Sequence, residues 1–145
     1  MFMGEYNHTI DSKGRLIIPS KFREELGESF VVTRGMDGCL SIYSQESWTE
    51  FEQKLATLPL ASKEARTFTR FFVSGATSCD LDRQGRILVP ATLREFAGLE
   101  KDVVLAGMVN RVEVWSKDRW IGNNTFSNED LQGVAAHLTS IGFSF

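Results

Sequence analysis

Two arginines, each four residues after an aspartate and directly after a glycine, are the side chains in this 145-residue sequence best suited to chemistry at a phosphate or a base edge. They stand in Asp11-Ser-Lys-Gly14-Arg15 and again in Asp82-Arg-Gln-Gly85-Arg86. A guanidinium is a planar fork of donors that matches phosphate or guanine, and a carboxylate facing it across a tight turn orients that fork. Glycine lets the backbone approach a ligand closely, and Lys13 or Arg83 at the tip adds mobile positive charge. A β-hairpin of this kind can enter the DNA major groove. The plainer reading of one copy is a hairpin steadied by an exposed ion pair, worth at most roughly 1 kcal/mol. Folding explains a glycine in each turn; it does not explain the same Asp, Arg and following Arg appearing twice.

The repeat extends beyond the turn. Residues 11 to 23 align with residues 82 to 94, keeping Asp, Gly, Arg, a Pro at 19 and 90, and a second arginine at Arg23 and Arg94. Downstream, after a one-residue slip, Val31-Val32 aligns with Val103-Val104, Gly35-Met36 with Gly107-Met108, Ile42 with Val114, Ser44 with Ser116 and Trp48 with Trp120. From residue 11 to 23 the formal charge is +3, with Lys13, Arg15, Lys21 and Arg23 against Asp11; from 82 to 94 it is +2. The local excess is basic on an acidic protein.

The elements that must carry these residues read alike in both copies. Residues 6–11 and 15–18 are expected as strands joined by Ser12-Lys13-Gly14 as a three-residue hairpin loop with its glycine left-handed, and Arg83-Gln84-Gly85 repeats the loop. Pro19 and Pro90 end a strand and can open a helix, whose inner face in the first copy is Phe22 and Leu26 and which Gly27 or Gly98 stops. Strands follow at 30–33 and 40–43, and at 103–106 and 112–115, so each copy is β-β-α-β-β. A helix capped by Ser44 or Ser116 comes next, with Trp48, Phe51, Leu55 and Leu58 at helical spacing in the first copy. A further helix over 63–73, apolar along Ala65, Phe68, Phe71 and Phe72, connects the copies. Ser127 and Asp130 predict a capping box for a last helix carrying Leu131, Val134, Leu138 and Ile141. A unit of 40 to 45 residues is too small for a core of its own without staples, so the two copies are expected to share one.

Composition narrows the class. The chain is 42% hydrophobic and 24% charged, as an ordinary globular protein is. Its longest apolar runs, such as Val103 to Met108, are too short for a membrane span, and the N-terminus lacks the regions of a signal peptide, so a cytoplasmic location is expected. Cys39 and Cys79 are not spaced as a metal or redox pair and are expected as buried, reduced thiols. His8 and His137 lack metal-ligand neighbours in sequence, and no nucleophile elbow, phosphate loop or paired-carboxylate motif is present. No catalytic residue, metal, cofactor, membrane or small-molecule substrate is therefore expected. The net charge of −3 and pI near 5.4 require any DNA site to arise from local clustering.

The chain resembles MraZ, a bacterial regulator family built of two SpoVT/AbrB-type domains. The resemblance rests on Met1-Phe2-Met3-Gly4-Glu5-Tyr6, on both Asp-x-x-x-Arg motifs, and on Ala65-Arg66-x-Phe68-x-Arg70-Phe71-Phe72-x-Ser74-Gly75-Ala76; the tail over 122–145 matches less closely. It implies an α+β, β-rich fold: a duplicated swapped-hairpin (AbrB-like) barrel formed by two halves of one chain, with flanking helices. The domains would span 5–47 and 76–119, with a helical connector at 48–75 and a helical tail at 120–145. It further implies a ring-like homo-oligomer, associated with the nucleoid, that binds short direct repeats of double-stranded promoter DNA ahead of the division and cell-wall operon, usually as a repressor. The DNA-binding residues it implies are Arg15 and Arg86 first, with Asp11 and Asp82 as the matching motif positions and Lys13, Lys21, Arg23, Arg83 and Arg94 as neighbours. Several copies on repeated sites would gain avidity on the order of 10²- to 10⁴-fold, which compensates for the weak field of an acidic subunit. The competing reading is an oligomeric protein-interaction module, antitoxin-like or a ring scaffold, drawn from the apolar tail Ile141-Gly-Phe143-Ser-Phe145.

Overall fold

Period-two apolar patterning and turn glycines produce the same succession of short elements twice in the computed structural model, which describes residues 1–144. In the first copy these are β1 (Glu5–Thr9), β2 (Arg15–Ile17), α1 (Ser20–Leu26), β3 (Ser29–Arg34) and β4 (Leu40–Ser44). Helices α2 (Gln45–Ala56) and α3 (Lys63–Val73) follow. The second copy supplies β5 (Thr77–Asp80), β6 (Arg86–Leu88), α4 (Ala91–Ala97), β7 (Asp102–Gly107) and β8 (Val112–Ser116), then α5 (Lys117–Asn123) and α6 (Asn128–Ser140). A short 3-10 turn at Met36–Gly38 is the one further helical piece among the described residues.

Local chemistry sets the ends of these elements. Pro19 and Pro90 sit one residue before α1 and α4, at the cap position rather than inside the first turn, and Gly27 and Gly98 end the helices with φ of 80° and 64°. The hydroxyls of Ser44, Ser62, Ser116 and Ser127 each accept a backbone N–H at a helix start, and Ser127 with Asp130 forms a full capping box.

Pairing differs from a simple hairpin. Beyond the loop, the opening segments of the first copy pair only at the isolated bridge between Ile10 and Leu16 among the described residues. Strand β1 pairs instead with β7, and β5 with β3, so the opening strand of each copy completes the sheet of the other. The resulting antiparallel order is β1-β7-β8-β4-β3-β5, and β2 pairs with β6 in a separate two-stranded ribbon. Three-residue strands joined as a local hairpin would bury almost nothing. Crossed over, Leu16 and Ile87 turn inward from the ribbon onto the core, at 0% and 2% exposure.

The core that results is common to both copies: Leu16, Ile18, Phe22, Phe30 and Val32 pack in one cluster with Ile87, Val89, Leu93, Val103 and Leu105. This is the duplicated, swapped-strand α+β arrangement expected from the resemblance. The register corrects one part of the sequence alignment. Phe30 lies opposite Ser44, and Val103 opposite Ser116, so Phe30 corresponds to Val103 and Val31 to Val104. Aligning valine with valine is wrong by one residue because the strand conserves burial alternation, not side-chain identity: Phe30 and Val32, like Val103 and Leu105, face the core. Satellite clusters obey the corrected register. Val31, Tyr43 and Trp48 pack together in one copy, and Val104, Trp115 and Trp120 in the other.

The connector α3 is tied down by polar contacts as well as by Phe72. The buried hydroxyl of Thr33 donates to the Phe72 carbonyl at 2.6 Å, and Arg34 donates to Phe71 while its guanidinium lies over the Phe71 and Phe96 rings. Helix α6, by contrast, buries none of its residues. Phe145, part of the apolar tail noted above, lies outside the described residues.

Candidate nucleic-acid interface

Each Asp-x-x-Gly-Arg segment folds into a compact loop that its own aspartate organises. In the first, Asp11 and Arg15 exchange a backbone bond, Asp11 N–H to the Arg15 carbonyl at 3.1 Å, and the Gly14 N–H donates to the Asp11 carbonyl at 3.0 Å. The Asp11 carboxylate accepts from the Lys13 and Arg15 amides on Oδ1 at 3.0 and 2.8 Å, and from Arg15 Nε on Oδ2 at 2.6 Å. Asp82 repeats the pattern with the amides of Gln84 and Arg86 at 2.8 and 2.9 Å and with Arg86 Nε at 2.9 Å. Gly14 and Gly85 take φ of 89° and 74°, the left-handed conformation such a loop requires.

This wiring settles how the arginines are presented. Because the carboxylate engages Nε, the terminal amino groups of both forks make no hydrogen bond among the described residues. The backbone amide of Arg15, then its side chain, holds the Asp11 carboxyl below its ordinary range, and Arg86 does the same to Asp82. Both aspartates are thus ionised at neutral pH and keep their arginines aimed. The Arg15 and Arg86 side chains remain 40% and 28% exposed.

The ribbon brings the two loops onto one surface. In its register Arg15 pairs with Leu88 and Ile17 with Arg86. Since Leu16 and Ile87 point inward, all four of those residues share the outer face. Ile17 and Leu88, 40% and 61% exposed, therefore lie beside the two arginines, Leu88 opposite Arg15 and Ile17 opposite Arg86. They were absent from the sequence-derived set; their alternation with Leu16 and Ile87 was the available signal. Lys13, Arg83 and Lys21 are exposed, the first two at the loop tips and Lys21 in the first turn of α1. Arg23 and Arg94 sit differently: each is half-buried and donates Nε to a carbonyl five residues back, Ile18 at 2.7 Å and Val89 at 3.0 Å.

Other chemistry-bearing groups lie elsewhere. Cys39 and Cys79 are free and buried, and burial pushes their thiols up to about 12 and about 11, which keeps them protonated. Among the described residues no three His, Cys, Asp or Glu side chains group as a metal site. No helix there is long and apolar enough to cross a membrane. Two apolar grooves run beside α3, one along Leu55, Leu58 and Val73 and the other along Phe68, Phe71 and Phe72.

Comparison with known proteins gives a family. The family model "MraZ protein, putative antitoxin-like" matches residues 1–71 and again residues 72–133, the two halves that the duplication defines. Transcriptional regulator MraZ of Thermoanaerobacter sp. (strain X514) is 55% identical over 97% of this chain and 99% of its own length. The Lachnoclostridium phytofermentans protein of the same name is 52% identical over the whole of both chains, and that of Moorella thermoacetica is 62% identical over 83% of this chain and 84% of its own. By both its doubled family match and its full-length relatives, the chain belongs to the MraZ family, a family of transcriptional regulators and not of enzymes.

Proposed function

We propose that this regulator acts by binding double-stranded DNA in a sequence-specific manner through the outer face of the β2–β6 ribbon and its two flanking loops. The observation that carries the proposal is the pair of arginines, Arg15 and Arg86, each aimed by an ionised aspartate and set on one exposed face. Arg15 and Arg86 contact base edges or phosphates, Asp11 and Asp82 hold them, and Lys13, Arg83 and Lys21 neutralise phosphate. In this reading residues 5–47 and 76–119 are the two DNA-binding domains, 48–75 connects them and 120–145 is a helical tail.

The resemblance supports the finer part of the proposal: a ring-like homo-oligomer on short direct repeats in the promoter of the division and cell-wall operon that contains its own gene, acting as a repressor in the cytoplasm at the nucleoid. Multiplying a small basic surface along repeated DNA answers the acidic net charge of −3. A footprint of the purified chain on the DNA upstream of its own gene tests the whole reading. Protection is expected at short, evenly spaced repeats and should fade steeply as salt rises. Absence of protection at low salt would overturn it.

One observation favours a second reading. Leu131 and Val134 on helix α6 and Ile141 just past its end are 57%, 51% and 68% exposed, an apolar surface suited to docking on another protein. A protein-interaction module without DNA contact would show a stoichiometric protein partner on pull-down together with no shift of any upstream duplex.

A further inference from the structure

The second arginine of each repeat does something that neither its spacing nor its charge announces. The Arg23 guanidinium, from the first copy, lies against Gly85 of the second, so closely that a methyl group on Gly85 would collide with its Cζ and Nη1. Arg94, from the second copy, lies in the same way against Gly14 of the first, where a methyl group would stand 2.7 Å from Nε and 2.9 Å from Cζ. Backbone bonds close each contact into a circuit. The Gly85 carbonyl accepts the Ile18 N–H at 2.9 Å, and the Ile18 carbonyl accepts Arg23 Nε at 2.7 Å. In the mirror image, the Gly14 carbonyl accepts the Val89 N–H at 2.8 Å, and the Val89 carbonyl accepts Arg94 Nε at 3.0 Å. Neither arginine forms a salt bridge among the described residues.

We infer that Arg23 and Arg94 are positioning residues, each bracing the arginine-bearing loop of the opposite copy for contact with DNA. This rests on the DNA-binding reading above. A planar guanidinium can lie flat beneath a glycine while its Nε holds a carbonyl. A lysine keeps the charge but has neither the plane nor the fixed donor, so the brace is specific to arginine. The glycines then serve two purposes, since each both adopts a positive φ and leaves room for the partner copy's guanidinium.

The test uses the full chain with R23K and R94K, alone and combined with R15A or R86A, and reads amide hydrogen exchange and binding to the duplex upstream of the gene. In R23K, exchange should quicken at Ile18, Gly85 and Arg86 and stay unchanged at Lys13 and Gly14; R94K should show the mirror pattern. R23K should weaken binding ~10-fold, a size typical of residues sharing one network, with the salt slope unchanged. On an R86A background R23K should add less than about twofold, whereas on R15A its effect should multiply in full. Wild-type affinity in R23K, where lysine keeps the charge that a direct phosphate contact needs, or full multiplication on R86A would each overturn the brace. The exchange readout separates the two ideas: no DNA binding by the wild-type chain together with the crossed pattern in R23K and R94K refutes the DNA reading alone, and exchange changes confined to the mutated copy refute the brace alone.

Discussion

In the first copy the helix after the last strand runs twelve residues and buries Trp48 and Leu55; in the second the corresponding helix stops after seven and buries none. At the ribbon the copies instead agree bond for bond, from the aspartate-held arginine to the glycine carbonyl that joins the other copy. The difference separates two kinds of constraint. Where the copies interlock, a change in one deforms the other, and the pattern stays doubled; where they face outward, each flank is free to lengthen, shorten or change charge. Lys21 in the first copy is matched by Thr92 in the second, so even the basic field is stronger on one side.

Breaking the symmetric part should produce the largest effects. Replacing Arg15 and Arg86 together by Ala is expected to remove promoter binding, since each good base or phosphate fork contributes roughly 1–3 kcal/mol, while the thermal midpoint stays close to wild type. Gel shift and calorimetry on the same preparation check this, and retained affinity would refute the assignment. Leu16→Ala should cost about 2–5 kcal/mol of stability as a shared-core truncation, and Ile87→Ala a similar amount. Leu131→Ala on α6 should cost no more than ~0.5 kcal/mol of chain stability. Urea unfolding decides between them; a Leu131 loss as large as that of Leu16 would mean that α6 is packed against another molecule.

Smaller effects sharpen the asymmetry. Lys13→Ala with Lys21→Ala should lower the salt slope of binding by about two, and Arg83→Ala by about one, as read from affinities over a salt series. The pH response should be symmetric again. Asp11 and Asp82 are held below the ordinary value of 3.8 in the folded chain, so their contribution to stability is fully present above that pH. It is lost only as pH falls through the lowered values. A D11N/D82N chain should therefore differ from wild type by a constant amount above pH 3.8 and converge with it in stronger acid, as followed by unfolding at each pH.

Residue type and spacing alone disclosed the duplication, the loops, most of the helix caps and the shared core, and singled out the arginines proposed to lead the candidate site. These are local decisions: a glycine that must go left-handed, a proline that cannot continue a strand, an aspartate within reach of an amide four residues on. What only the tertiary structure decided was partnership. The loop that reads as a hairpin opens after Ile10 and Leu16, where the first strand goes on to pair with β7 and the second with β6. The same exchange turned Ile17 and Leu88 outward beside the arginines and carried Arg23 and Arg94 beneath the opposite loops. Sequence records which residues want burial or charge; it does not record which of two similar halves will supply the contact, because pairing within a copy and pairing between copies satisfy the same local pattern.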